Sequence, residues 1–197
     1  MKKFTIETER LLIRPPQESD AYELNQAIKR SLNELQRWMP WAKDPSLSTT
    51  KNYIVDGIEQ WESKVQSDFP MIVLYKEENK IISASGYNSS SNVEVPFYEV
   101  GYWLDSSYTG RGFATELTSA LTQCALSHLN AVRVQIKTQK KNIKSQNVAK
   151  RCGFEIEAIL KKHCIDCLTG KPDDDFIFSL FNQSDLKLNT DIVITSY

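Results

Sequence analysis

Residues 99–116 read Glu99-Val100-Gly101-Tyr102-Trp103-Leu104, then Asp105-Ser106-Ser107, then Tyr108-Thr109-Gly110-Arg111-Gly112-Phe113-Ala114-Thr115-Glu116. The first run is aliphatic and aromatic and predicts a strand over Phe97–Leu104. Beyond the glycines, Phe113, Leu117, Leu121, Cys124 and Ala125 recur at helical spacing to about His128. Thr109–Gly112 therefore joins a strand to a helix. Glycine lets the backbone come close to a ligand, and the first free N–H groups of a helix favour an anion. Arg111 adds a cation. A plain strand–helix turn uses the same residues, so Gly-x-Gly alone does not decide between the two.

The flanks extend the pattern. Leu11-Leu12-Ile13 predicts an opening strand ended by Pro15-Pro16. Ser19 suits the cap of a helix to about Lys29, and Ser31 the cap of a short second one. Trp38-Met39-Pro40-Trp41 is expected in a loop, and Tyr53, Ile54, Ile58, Trp61 and Val65 predict a helix over about Thr49–Val65. Met71–Tyr75, Ile81–Tyr87 and Phe97–Leu104, joined by short polar turns, suggest an antiparallel meander. After the helix at Phe113 come a strand at Val132–Thr138, a helix capped by Ser145 and closed by Gly153, and strands at Ile156–Leu160 and Phe176–Leu180. This order predicts a mixed α/β sheet with helices packed on it. One domain is expected over residues 1–182, with 183–197 as a C-terminal tail.

Composition narrows the class. The chain has 197 residues, 41% hydrophobic and 25% charged, with a net charge of −1. It is long enough for a full core and gives no global basic excess for nucleic acid. The longest clearly apolar run, Phe69–Tyr75, is far short of a membrane helix, and the start of the chain lacks a signal peptide's apolar stretch. With four cysteines and no disulfide framework, a cytoplasmic setting is expected. Charge is uneven, however. Leu117–Phe154 contains no acid but seven basic residues: Arg133, Lys137, Lys140, Lys141, Lys144, Lys150 and Arg151. Such a stretch is either a solvated helix face or the surroundings of a compact anion. The lone Cys164-x-x-Cys167 lacks the second ligand pair that a zinc site needs, so no metal is expected.

Two stretches carry a family resemblance. Thr109-x-x-Gly112-x-Ala114 resembles motif A of the GNAT superfamily of acetyl-CoA-dependent N-acetyltransferases, with Thr109 where Gln or Arg is usual. Asn142-x-x-Ser145-x-x-Val148-Ala149-x-Arg151-Cys152-Gly153-Phe154 resembles motif B, with Cys152 where Leu is common. Thr8–Arg14, the Trp38–Trp41 loop and Leu168–Pro172 are similar to the ribosomal-protein N-acetyltransferase branch. The resemblance covers about residues 5–182. It implies a mostly antiparallel twisted sheet whose strands splay at the centre, with coenzyme A between them and direct transfer of acetyl to an amine.

The resemblance also implies site residues. Tyr102, Trp103, Leu104, Thr109, Gly110, Arg111, Gly112, Phe113, Ala114 and Thr115 would hold the cofactor, together with Asn142, Ser145 and Lys144. Lys140, Lys141 and Lys144 are candidates for the adenosine-side phosphate. Acetyl transfer needs a base for the amine, a donor for the oxyanion and a proton for the thiolate. Glu99 is the candidate base, with an ion-pairing glutamate as the alternative. Ser145 is the candidate donor to the thiol, or simply a helix cap; no tyrosine lies within Ile143–Phe154 to serve instead. Trp38, Trp41 and His163 are candidates for the amine pocket, although core packing also explains the tryptophans. The expected acceptor is the α-amine of a protein N-terminus, that of a ribosomal protein in the sense of that branch. A small-molecule amine, or a non-catalytic acyl-CoA-binding module, is the alternative. Monomer or homodimer is expected, without membrane or direct nucleic-acid contact.

Overall fold

The computed structural model describes residues 3–63, 68–188 and 190–197. Among the described residues, nine strands form one sheet: β1 (Phe4–Glu7), β2 (Leu11–Arg14), β3 (Phe69–Tyr75), β4 (Lys80–Tyr87), β5 (Phe97–Tyr102), β6 (Arg133–Gln139), β7 (Glu155–Ile165), β8 (Pro172–Leu180) and β9 (Val193–Ser196). Their order across the sheet is β7-β8-β6-β5-β4-β3-β2-β1-β9. Five α-helices flank it: α1 (Asp20–Arg30), α2 (Leu32–Trp38), α3 (Leu47–Glu62), α4 (Phe113–Ser127) and α5 (Ile143–Cys152). Pro40–Lys43 is a 3-10 turn following α2. Among the described residues no helix is long and apolar enough to cross a membrane. Val65, expected at the end of α3, lies outside the described residues.

The apolar run of β3 is buried on both faces. Phe69, Met71, Val73 and Tyr75 join the core that α4 covers with Phe113, Leu117 and Leu121. Ile72 joins a second cluster with Leu24 and Ile28 of α1 and Ile54 of α3. Helices therefore pack on both sides, and alternation along a strand sends successive side chains to different cores.

Three expected caps change. Ser145 does not cap α5: Asn142 does, its Oδ1 accepting from the Ser145 N–H at 3.1 Å. The helix starts earlier because Asn142 already satisfies that orphan donor, and the Ser145 hydroxyl is left for other work. Ser19 and Ser31 stand at the starts of α1 and α2 without side-chain caps. Asp20 instead accepts from the Gln17 N–H at 2.7 Å, and Ser31 Oγ accepts from the Ser106 N–H at 2.9 Å.

The segment expected as a tail is built into the sheet. β9 pairs antiparallel with β1, from Phe4 opposite Ser196 to Glu7 opposite Val193. Leu186 is buried, and the Lys187 N–H donates to the Cys152 carbonyl. This path runs over Gly153, where a Cβ would lie 2.1 Å from the Asp185 carbonyl oxygen. Gly153 thus ends α5 at φ +102° and clears the way for the returning chain.

Candidate active site

The parallel pair β5 and β6 holds for three residue pairs, Phe97–Arg133, Tyr98–Val134 and Glu99–Gln135. Beyond them the two strands part. β5 stays with β4 up to Tyr102, and β6 stays with β8 up to Gln139. The resulting V opens into a cleft of about 1470 Å³.

At one side of the V, β5 leads into the glycine turn. Asp105, fully buried, fixes this passage: its carboxylate accepts from Arg30 at 2.6 and 2.9 Å and from the Ser107 N–H at 3.0 Å. Thr109 donates its hydroxyl to the Ser106 carbonyl. Gly110 and Gly112 then adopt φ +79° and +85°, the left-handed region open to glycine, and α4 begins at Phe113. A Cβ at Gly110 would meet nothing within 4 Å, so the loop stands clear of the protein. The Thr115 and Glu116 N–H groups already donate to the Gly112 carbonyl, which leaves those of Phe113 and Ala114 as the unpaired donors at the start of α4 among the described residues. Gly112, Ala114 and Thr115 line the cleft. The arrangement fits a pyrophosphate such as that of coenzyme A.

The cations are distributed differently from the sequence reading. Arg111 folds back over Tyr75, Tyr108 and Phe113, 5.1–5.5 Å from their ring centres. Lys140 pairs with Asp174, and Lys141 with Asp166 and Asp173, outside the cleft lining. Lys144 lines the cleft but pairs with Glu34 of α2 at 2.6 Å. Two cations stand beside the turn: Arg10, whose Nη1 donates to the Arg111 carbonyl at 3.0 Å and which pairs with Glu116, and Arg151, whose Nε donates to Thr115 Oγ1 at 3.2 Å. Periodicity could have found Arg151, which lies in the acid-free stretch on the helix that packs against α4.

Glu99 is at the apex of the V and only 2% exposed. Its carboxylate accepts from Gln135 Nε2 at 2.5 Å and Asn88 Nδ2 at 3.3 Å, with Lys137 Nζ at 3.9 Å. Gly101 makes room for Asn88, since a Cβ there would lie 2.4 Å from its Oδ1. Across the V, Ser145 Oγ and the Tyr102 hydroxyl are 3.1 Å apart. Burial pushes the Tyr102 phenol well above its ordinary pKa, so it remains a donor.

The cleft widens over the other face of the sheet. Trp38 and Trp41 both line it. Trp41 is 45% exposed and tilts against Trp103 at 6.2 Å, so it is not a core residue. His163 lines the opposite wall, with Nδ1 2.9 Å from Asp175 Oδ2. Trp103, Leu104 and Phe113 complete the wall beside the turn. Cys164 is pushed up to about 12, first by burial and then by the Asp175, Asp173 and Asp174 carboxylates. A redox pair needs a lowered thiol, and this environment does the reverse.

A splayed parallel pair, a glycine cradle and a buried acid define an acyl-transfer site. The family described as "Acetyltransferase (GNAT) domain" matches residues 10–155, and the chain belongs to it. It is an N-acetyltransferase. The chain is 27% identical to an uncharacterized N-acetyltransferase p20 of Bacillus licheniformis over 180 residues, covering 91% of this chain and 97% of that protein. It is 26% identical to a putative ribosomal N-acetyltransferase, YdaF, of Bacillus subtilis (strain 168), covering 74% and 78%. The fold matches that of a ribosomal L7/L12 alpha-N-protein acetyltransferase in complex with coenzyme A, at TM-score 0.76, 21% identity and 88% and 95% coverage.

Proposed function

We propose that this protein moves the acetyl group of acetyl-CoA to the α-amine of a protein N-terminus, a ribosomal protein being the first candidate. The observation that carries this reading is the cleft of about 1470 Å³, which runs from the cradle to walls that include Trp38 and Trp41. The ribosomal N-acetyltransferase among the relatives supports it. All four cysteines are unpaired, in keeping with a reducing cytoplasm, where we place the activity.

The backbone from Gly110 to Thr115, with Arg151, holds the pyrophosphate, and the pantetheine arm lies between β5 and β6. Glu99 is the base, acting directly or through a water. A carboxylate has about four acceptor positions, so its three neighbouring donors leave one for the amine or that water. Nitrogen attacks the thioester carbon, the C–N bond forms, and Glu99 takes the nitrogen's proton. As the C–S bond breaks, Ser145, backed by Tyr102, offers its hydroxyl to the leaving thiolate. Asn142 holds this serine in place through the first turn of α5.

Incubation with acetyl-CoA against a panel of peptide N-termini and free amines, read by mass spectrometry, tests the assignment. Peptide α-amines should gain one acetyl group. Acetylation of free amines alone would replace this acceptor with a small molecule.

A further inference from the structure

We propose that His163, oriented by Asp175, is a second base in the cleft and takes the first proton from the acceptor's ammonium group. The proposal rests on the acetyltransferase reading above.

The dyad is built by a distortion of β7. Leu160 pairs with Asp175 and Cys164 with Asp173, so Lys161, Lys162 and His163 stand opposite the single residue Asp174. Lys162 takes φ +52°, unusual for a side-chain-bearing residue. Asp174 clamps the bulge: its carboxylate accepts from the Lys162 N–H at 3.0 Å and from Lys161 Nζ at 3.3 Å. Bulges commonly re-aim one side chain beside an active site. Here the re-aimed side chain is His163, which lines the cleft.

Asp175 sets the ring. Its carboxylate is 6% exposed, while the imidazole is 48% exposed. An ionised carboxylate only accepts, so Nδ1 carries the hydrogen and donates to it. In the neutral ring the lone pair is then on Nε2, which has no partner among the described residues. Asp175 of β8 pairs with the ring; Lys161 and Lys162 precede it in the bulge, opposite Asp174. Asp174 is shared by Lys161 and Lys140, and the neighbouring Cys164 is held as a neutral thiol.

The chemistry leaves a task for this dyad. An α-amine has a pKa of about 8 and enters mainly as ammonium at pH 7. It must lose one proton before attack and a second as the C–N bond forms. Glu99, nearly sealed at the apex, can serve the second. His163 can take the first on Nε2, leaving a neutral amine and an imidazolium, and its exposed ring returns the proton to water. The sum is ammonium plus thioester giving amide, thiol and one proton released.

H163Q and D175N test this alongside the unsubstituted enzyme. Acetyl-CoA affinity, measured first by calorimetry, should be unchanged in all three and shows that the variants are folded. kcat/KM is then followed from pH 6.5 to 9.5 with a peptide α-amine and with a weakly basic amine already neutral at pH 7. We expect H163Q to lag by about tenfold at pH 7 with the peptide, to converge at pH 9.5, and to match with the weakly basic amine throughout. D175N should show the same pattern at smaller size. An H163Q enzyme equal at pH 7, or lagging equally at every pH with both acceptors, overturns the proposal. If the unsubstituted enzyme acetylates neither amine while binding acetyl-CoA, the transferase reading fails and takes this inference with it.

Discussion

Glu99 combines near-complete burial with two amide donors and a nearby lysine, an arrangement that holds the carboxyl group in place. Removing the charge while keeping the shape is the informative change. Glu99→Gln should lower kcat by about 10²–10⁴-fold, the usual range for a lost acid–base group. Acetyl-CoA affinity, measured by calorimetry, should remain the same, because the cradle lies at the other end of the V. An unchanged rate would remove Glu99 from the mechanism. The partners of Glu99 illustrate where sequence reading stops. Glu99 itself was visible as the acid on the strand that carries the glycine motif. Gln135, thirty-six positions away, and Asn88, admitted by Gly101, become its neighbours only once three strands pair. His163 was visible as a residue, but its aim depends on a bulge that no local pattern announces.

At the level of elements, the strand–turn–helix unit was legible because its glycines meet a backbone demand. Gly112 sits at φ +85°, and a Cβ there would approach Arg10 Nη2 at 3.5 Å. A side chain in this left-handed region costs about 1–2 kcal/mol. Gly112→Ala should therefore lose stability of that order in denaturant unfolding and weaken acetyl-CoA binding about tenfold, as the turn shifts away from the phosphates. An alanine variant that binds as before would show that the left-handed turn is dispensable for the cradle. The start of α5 was less legible. Asn142 and Ser145 are both good capping residues, and local propensity does not say which one wins. Asn142 wins, and Ser145 then faces Tyr102 across the V. β9 was hidden for another reason: it is four residues long and only Ile194 is half-buried, so it shows no burial pattern until β1 supplies a partner.

Across the whole molecule, the sheet passes through only three β5–β6 residue pairs at its middle, while α4 and one shared core span its two halves. A ligand seated in the V bridges the halves and binds only the folded chain. At a hundred times its dissociation constant, acetyl-CoA should add about 2.7 kcal/mol to stability. For a chain of this size that is a rise of roughly 5–11 °C in Tm. Thermal melts with and without acetyl-CoA measure it, and no rise at saturating ligand would contradict a cofactor lodged between the halves. The β9–β1 pairing has a consequence of another kind, in the timing of biosynthesis. The outer edge of β1 is made by residues 4–7, yet its partner is residues 193–196. At translation speeds of about 5–20 residues per second, that edge waits roughly 10–40 s for its cover. During this interval β1, already paired with β2 on its other side, presents an open edge, the kind that recruits stray strands. A chaperone that shields this edge of β1 until synthesis passes Ser196 would protect the sheet while it is open.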